Sequence, residues 1–244
     1  MNHRFSRNLM LLKEHFPELE ERISDPSDPA LPVPVQAKSG HWTLRRSTPR
    51  GGEVFLHSPG DPIDEGERMA GTIPSEAAMV VFLGGALFYH ITAALRRIGE
   101  DVPIVVVEEA PAVFTAALRL SPVSPVLERK ETLLFVGDPA GKVVESLMNR
   151  YRPETMAGMV IHRHLPSLET APEAYRVVER KLKNLRDLSD CRFNDPELDA
   201  CLYPVEDVLS VGYDEARRIF PPAAGQAGEM REVFHLMELL RREG

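Results

Sequence analysis

"VVFLGGALFYH", residues 80–90, decides the fold. An apolar run stops at two glycines, then resumes with an aromatic pair and a histidine. A strand with one wet face would alternate polar and apolar residues. This run does not alternate, so it predicts a strand buried on both faces. Gly84 and Gly85 make the turn, and "ALFYHITAALRRIG" (86–99) reads as the helix that follows.

The same handover recurs downstream. "VPIVVVE" (102–108) is a second buried strand and "PAVFTAALRL" (111–120) a second helix. "ETLLFVG" (131–137) and "GKVVESLMNRY" (141–151) repeat the pair, and "AGMVIHRH" (157–164) is a fourth strand. Buried strands alternating with helices imply a parallel sheet with right-handed crossovers. The predicted fold class is therefore α/β, with a Rossmann-like doubly wound, mostly parallel sheet over residues 76–190.

An extension precedes it, over residues 1–75. Phe5, Leu9, Leu12, Phe16, Leu19 and Ile23 recur at helical spacing. The proline-rich "SDPSDPALPVP" (24–34) ends that helix. "VPVQA" (33–37), "HWTLRR" (41–46) and "EVFLH" (53–57), separated by turn-like "KSG" and "STPRGG", predict a small β-meander. Asp61 as N-cap, Pro62 as first helical residue and Glu65 in the first turn open another helix. A helical C-terminal extension, residues 191–244, carries helices at 204–220 and 229–243 joined by "PPAAGQAG".

Composition narrows the function classes. The 244 residues carry a net charge of −8, whereas a general nucleic-acid surface would be basic, so no nucleic-acid partner is expected. No apolar run reaches the ~18 residues needed to span a bilayer, and no charged-then-apolar leader opens the chain. A cytoplasmic protein without a membrane partner, its two cysteines Cys191 and Cys201 free, is the expectation. A homo-oligomer is compatible with the amphipathic C-terminal helix.

In open α/β sheets, ligands sit outside the carboxyl ends of the strands. Gly84 and Gly85 end the first strand, where backbone amides can approach an anion. Glu108 ends the second strand, where a carboxylate can hold ribose hydroxyls. Gly137 and Asp138 follow the third, and His90 lies on the first crossover helix. Gly84, Gly85, His90, Glu108, Gly137 and Asp138 are the candidate cofactor-binding set, for a nucleotide-type ligand. A G-x-G-x-x-G loop would need more glycines than "GGALFYH" supplies, so a purely structural turn stays open beside it.

Several segments in order carry a family resemblance: "NLMLLKEHFPEL" (8–19), "LHSPGDPIDEGERMA" (56–70), "VVFLGGALFYHITAAL" (80–95), "IVVVEEAPAVFTAAL" (104–118) and "LFVGDP" (134–139). Together they resemble the N-terminal domain of the motility-associated factor (Maf) glycosyltransferases, which modify flagellins. The family turn reads roughly G-x-G-L-G-Y-H. Gly84, Leu87, Tyr89 and His90 match it, and Ala86 and Phe88 replace its other two glycines. The resemblance spans about residues 5–175. In that family the transferase chemistry belongs to a following central domain, and nothing in this chain resembles it. The resemblance thus implies a standalone accessory module linked to flagellar or surface-protein glycosylation, with a glycosyltransferase or flagellin as its partner. The alternative is an S-adenosylmethionine-dependent methyltransferase-like or nucleotide-sugar-binding enzyme using the Gly84–Gly85 turn and Glu108.

Other motifs carry less. "GDPAGKV" (137–143) lacks the spacing of a P-loop and the hydroxyl after its lysine. "HRH" sets His162 and His164 on one strand face, the start of a metal site without an evident third ligand nearby, so no metal ligand set is assigned. No nucleophile can be named with its base, and no catalytic residue is assigned.

Overall fold

The structure is a computed structural model and describes residues 3–23 and 31–194. The predicted helices at 204–220 and 229–243, the linker between them, residues 24–30, Cys201 and the side chain of Cys191 lie outside what is described. Elements follow in chain order. Helix α1 (His3–His15) leads to strands β1 (Val33–Gln36), β2 (Trp42–Ser47) and β3 (Glu53–Phe55), then α2 (Pro62–Ala70). Next come β4 (Met79–Leu83), α3 (Tyr89–Ala94), β5 (Ile104–Glu108), α4 (Pro111–Leu120), α5 (Ser124–Leu127) and β6 (Thr132–Val136). The described chain ends with α6 (Ala140–Arg150), α7 (Pro153–Ala157), β7 (Met159–Arg163), α8 (Leu165–Thr170) and α9 (Pro172–Asn194).

Contacts divide the chain into two compact units, Met1–Pro139 with Gly158–Arg180, and Ala140–Ala157 with Lys181–Gly244. In the first unit, β1, β2 and β3 form an antiparallel sheet in that order, the expected meander. Four strands form a parallel sheet in the order β6-β5-β4-β7. Two strands, β5 and β6, follow outward from β4 in one direction, and β7 returns on its other side. This is the Rossmann-like α/β arrangement that the alternating pattern predicts. The order reverses between β4 and β7, the switch point at which open α/β sheets place a crevice beyond the carboxyl ends of the strands. Every residue of β4 and β5 is buried, as the apolar runs 79–83 and 104–107 require, and the terminal Glu108 is buried with them. In the second unit, Val143, Val144 and Leu147 of α6 and Met156 of α7 are buried. Among the described residues, no helix is long and apolar enough to cross a membrane.

Two helix boundaries differ from the pattern. The apolar periodicity through Ile23 predicts one N-terminal helix, but α1 ends at His15 and Pro17–Arg22 form a 3-10 turn. Pro17 has no N–H to continue the ladder. The helix expected over 86–99 shrinks to α3, because Ala86 (φ +45°) and Phe88 (φ +63°) adopt left-handed backbone. Such residues cannot lie within a right-handed helix.

The N-terminal helix is fixed by one polar residue. Asn8 is buried, and its Nδ2 donates to the Leu118 carbonyl at 2.8 Å and the Ser121 carbonyl at 3.3 Å. These acceptors lie at the end of α4, where carbonyls lack helical partners. Helix α2 starts as expected: the Asp61 carboxylate accepts from the Ile63 and Asp64 amides, and Pro62 follows the cap. Its Gly66 lies against α3; a Cβ there would meet the Tyr89 carbonyl carbon at 2.9 Å. That approach brings α2, with the Glu65 that precedes Gly66, onto the start of α3.

The tightest point is Gly84. Its φ of +91° is disfavoured for side-chain-bearing residues, and a Cβ there would overlap the Ser167 side chain and lie 3.1 Å from the His164 Cβ. Gly84→Ala should therefore cost about 3 kcal/mol or more, combining left-handed strain with overpacking. For a chain of this size that is a melting-temperature drop of roughly 6–12 °C, read by calorimetry. A drop below about 2 °C would mean the β4–β7 crevice is not closed by this contact.

Candidate functional site

The site is built at the carboxyl ends of β4, β5 and β7. Glu108, the last residue of β5, is 2% exposed, so its carboxylate needs internal partners. Oε2 accepts from the Gly85 amide at 3.0 Å and the Ala86 amide at 3.1 Å. Oε1 accepts from the Ala110 amide at 3.0 Å and from the Tyr175 hydroxyl at 3.3 Å. Burial pushes this carboxyl upward, and the three amides together with the Arg46 charge pull it back. Tyr175, buried beside Glu108, is pushed well above the ordinary phenol range by its own desolvation and then by that carboxylate, and remains a phenol.

The six candidate residues thus fall into two groups. Gly84, Gly85, His90 and Glu108 meet at one turn. The Glu108 carboxylate already occupies the two amides that would otherwise face an anion. Gly137 has a left-handed φ of +62°, and its amide donates to the Glu108 carbonyl. The Asp138 carboxylate accepts from the Val136 amide at 3.0 Å and from Arg22 at 3.4 Å. This second pair closes the end of β6.

The neighbouring Glu109 is different. It is half-buried and raised from its ordinary 4.5 to about 7, first by desolvation, then by the charges of Glu108 and Asp138. Near it, Tyr175 also lines an open cleft of about 550 Å³ with Thr48, Arg50, Leu168, Glu169 and Arg176.

Four histidines gather at the β4–β7 crevice, three of them from separate segments. His57 follows β3, His90 lies on α3, His162 is the penultimate residue of β7 and His164 caps α8. His57, His90 and His164 are each at most 1% exposed. Ring centroids are 4.8 Å apart for His57–His164, 4.8 Å for His90–His164 and 5.7 Å for His90–His162. Burial lowers all four imidazoles below the ordinary histidine value, His90 and His164 well below it. They are neutral at physiological pH.

Hydrogen bonds orient each ring. Burial works to raise the Glu65 carboxyl, but the His57 ring and the Ser58 amide outweigh it, so Glu65 is held low and ionised. A neutral His57 facing that carboxylate at 3.1 Å must donate from Nδ1, which leaves the Nε2 lone pair to accept the Leu87 amide at 3.2 Å. His90 Nε2 lies 3.1 Å from the Gly84 carbonyl, an acceptor, so Nε2 carries the proton. Its buried Nδ1 has no partner. His164 Nδ1 lies 2.7 Å from the Ser167 Oγ, and its buried Nε2 has no hydrogen-bond partner. The Leu56 backbone near that ring favours a proton on it, but its geometry does not satisfy Nε2.

The sequence places His162 and His164 together but leaves out His57 and gives His90 only a separate cleft position. His57 ends a short meander strand, far along the chain from the others, and no local spacing marks it. The one usable signal is Glu65, which returns one helical turn after the Asp61 cap to the loop that carries His57. No protein-family model matches the chain, and no curated protein matches it.

The Glu109 shift fixes a pH dependence. Between 4.5 and about 7 the folded state holds a proton that the unfolded state releases, so this group's contribution to stability falls as pH rises through that window. Glu109→Gln should remove this slope and raise stability at pH 8 by ~1 kcal/mol, the full shift being reduced because the group is part-exposed. Urea midpoints of both proteins at pH 5 and pH 8 check it; equal differences at the two pH values would reject the shift.

Proposed function

We propose that this chain is a standalone accessory module that works by binding a protein partner in flagellar or surface-protein glycosylation. The observation that carries this reading is the occupancy of the glycine turn. A working phosphate site leaves its turn amides free for the ligand. Here the Gly85 and Ala86 amides are bound by the chain's own Glu108 carboxylate, which is buried and tied to Tyr175. A nucleotide phosphate would have to displace an anion held by four hydrogen bonds.

The backbone supports the link to the Maf N-terminal domain. Ala86 and Phe88 stand where the resembling family turn carries glycine, and they are the two non-glycine residues with positive φ among those described. The left-handed geometry that glycine favours is retained at both positions without glycine. The partner is then a flagellin or a flagellin glycosyltransferase, in a cytoplasmic setting.

A second reading has one specific support. The cleft lined by Arg50, Tyr175 and Arg176 lies near Glu109, whose carboxyl is raised to about 7. A nucleoside or S-adenosylmethionine held there would have a nearby group able to exchange a proton at neutral pH.

A melting-temperature screen separates the two. A ligand at 100 times its Kd stabilises by about 2.7 kcal/mol, or roughly 5–10 °C for a chain this size. S-adenosylmethionine, NAD, and UDP- and CMP-sugars are expected to give no such shift. Purified flagellin or its glycosyltransferase is expected to bind the chain in a direct titration. A nucleotide-dependent shift of that size, lost in Glu108→Ala, would overturn the accessory reading.

A further inference from the structure

We infer that His57, His90 and His164 form a binding site for a divalent transition-metal cation, with zinc the best fit to an all-imidazole donor set. The site lies at the β4–β7 crevice, independent of the glycosylation reading. One nitrogen from each ring lies within 4.8 Å of the other two, and all three residues are buried.

The orientation of the rings carries the inference. A metal-bound histidine presents one nitrogen to the ion and donates from the other to a carboxylate, carbonyl or similar acceptor. Two members of this trio have such an acceptor on one nitrogen: Glu65 at His57 Nδ1 and the Gly84 carbonyl at His90 Nε2. His164 Nδ1 accepts from the Ser167 amide and faces the Ser167 hydroxyl, which serves as its acceptor once the ring proton moves to Nδ1. That leaves His57 Nε2, His90 Nδ1 and His164 Nε2 as the donor atoms. Two of these, His90 Nδ1 and His164 Nε2, are buried without any hydrogen-bond partner. A buried polar atom with no partner costs about 1–3 kcal/mol, and native proteins leave few of them. A cation satisfies both at once.

The donors must close in to bind. Zinc–nitrogen bonds of about 2.0–2.1 Å in a tetrahedral site put nitrogens roughly 3.4 Å apart. One nitrogen of each ring lies within 4.8 Å of the other two, so side-chain rotations must bring the donors to the tetrahedral spacing. The His57 Nε2 lone pair must also leave the Leu87 amide, a 3.2 Å bond. On His164 the proton must sit on Nδ1 and be donated to the Ser167 Oγ, and the Ser167 amide at 3.3 Å must release that nitrogen. The rings are neutral, as ligation requires. Three protein donors leave a fourth position; His162, outside the trio, has its ring stacked 5.7 Å from His90 and its Nδ1 also unpartnered. The cation would join the meander, α3 and the end of β7, segments distant in sequence.

The test uses the full chain, stripped with a chelator and dialysed. Titration with Co²⁺ should give the visible absorption of a tetrahedral site at one equivalent, without a thiolate charge-transfer band. Zn²⁺ should displace it and raise the melting temperature by roughly 5–10 °C at 100 times Kd. His90→Gln and His164→Gln should each lose the absorption, and the paired Cys191→Ser, Cys201→Ser variant should keep it. If the histidine variants fail to fold, the wild-type titration still decides. No cobalt spectrum and no zinc-dependent melting shift in the wild type overturns the site. So does a spectrum that survives in His90→Gln, or one abolished with the cysteines.

Discussion

The buried Glu108 carboxylate is the interaction on which this fold's ligand edge depends. A charge removed from water is tolerated only when its lone pairs are filled. Glu108 meets that demand by accepting from the turn after β4, from the entry to α4 and from Tyr175 on α9. One side chain thereby fixes the turn, the start of a crossover helix and the helix that packs over the sheet's carboxyl edge. The same bonds consume the donors that a Rossmann-like turn would offer a phosphate. Structural satisfaction and ligand binding compete for the same amides, and in this chain the protein's own carboxylate holds them.

The turn also stores strain. Ala86 and Phe88 occupy left-handed backbone, at about 1–2 kcal/mol each for residues with a Cβ. The Phe88 ring offsets this by burial: it is 1% exposed and packs toward Phe114 at a centroid distance of 6.2 Å. A strained non-glycine turn persists only where its surroundings determine it fully. The surroundings here are Gly84 against Ser167, Gly66 against Tyr89, and Glu108 against the turn amides. The crevice is thus held from three sides by close contacts of the backbone.

Electrostatics divides the same edge into two chemically distinct halves. At the end of β5, Glu108, Glu109 and Asp138 bring like charges together, and the least supported of them, Glu109, titrates near neutrality. Beyond β4 and β7, four imidazoles are held neutral by burial, and the Glu65 carboxylate faces one of them, His57. The imidazole half presents lone pairs, which suit a cation and not an anion.

The sequence by itself determined the layers of this protein. Unbroken apolar runs at 79–83 and 104–107, bounded by turn signals, read as strands covered on both faces, and the glycine pair after Leu83 reads as a turn. The cap at Asp61 is legible because its hydrogen bonds are local. Helix ends were less so: Pro17 and the left-handed Ala86 and Phe88 cut two helices shorter than their apolar spacing implies. The tertiary structure alone decided what the strand ends are for. Glu108 has the same letter whether it faces a ribose or the amides of Gly85 and Ala86, and only the path of β4 beside β5 selects the latter. His57, His90 and His164 share no spacing because they lie on three segments that meet only when β7 returns beside β4. Local periodicity encodes burial, which each segment expresses alone. A cluster of side chains depends on chain reversal, which no single segment encodes.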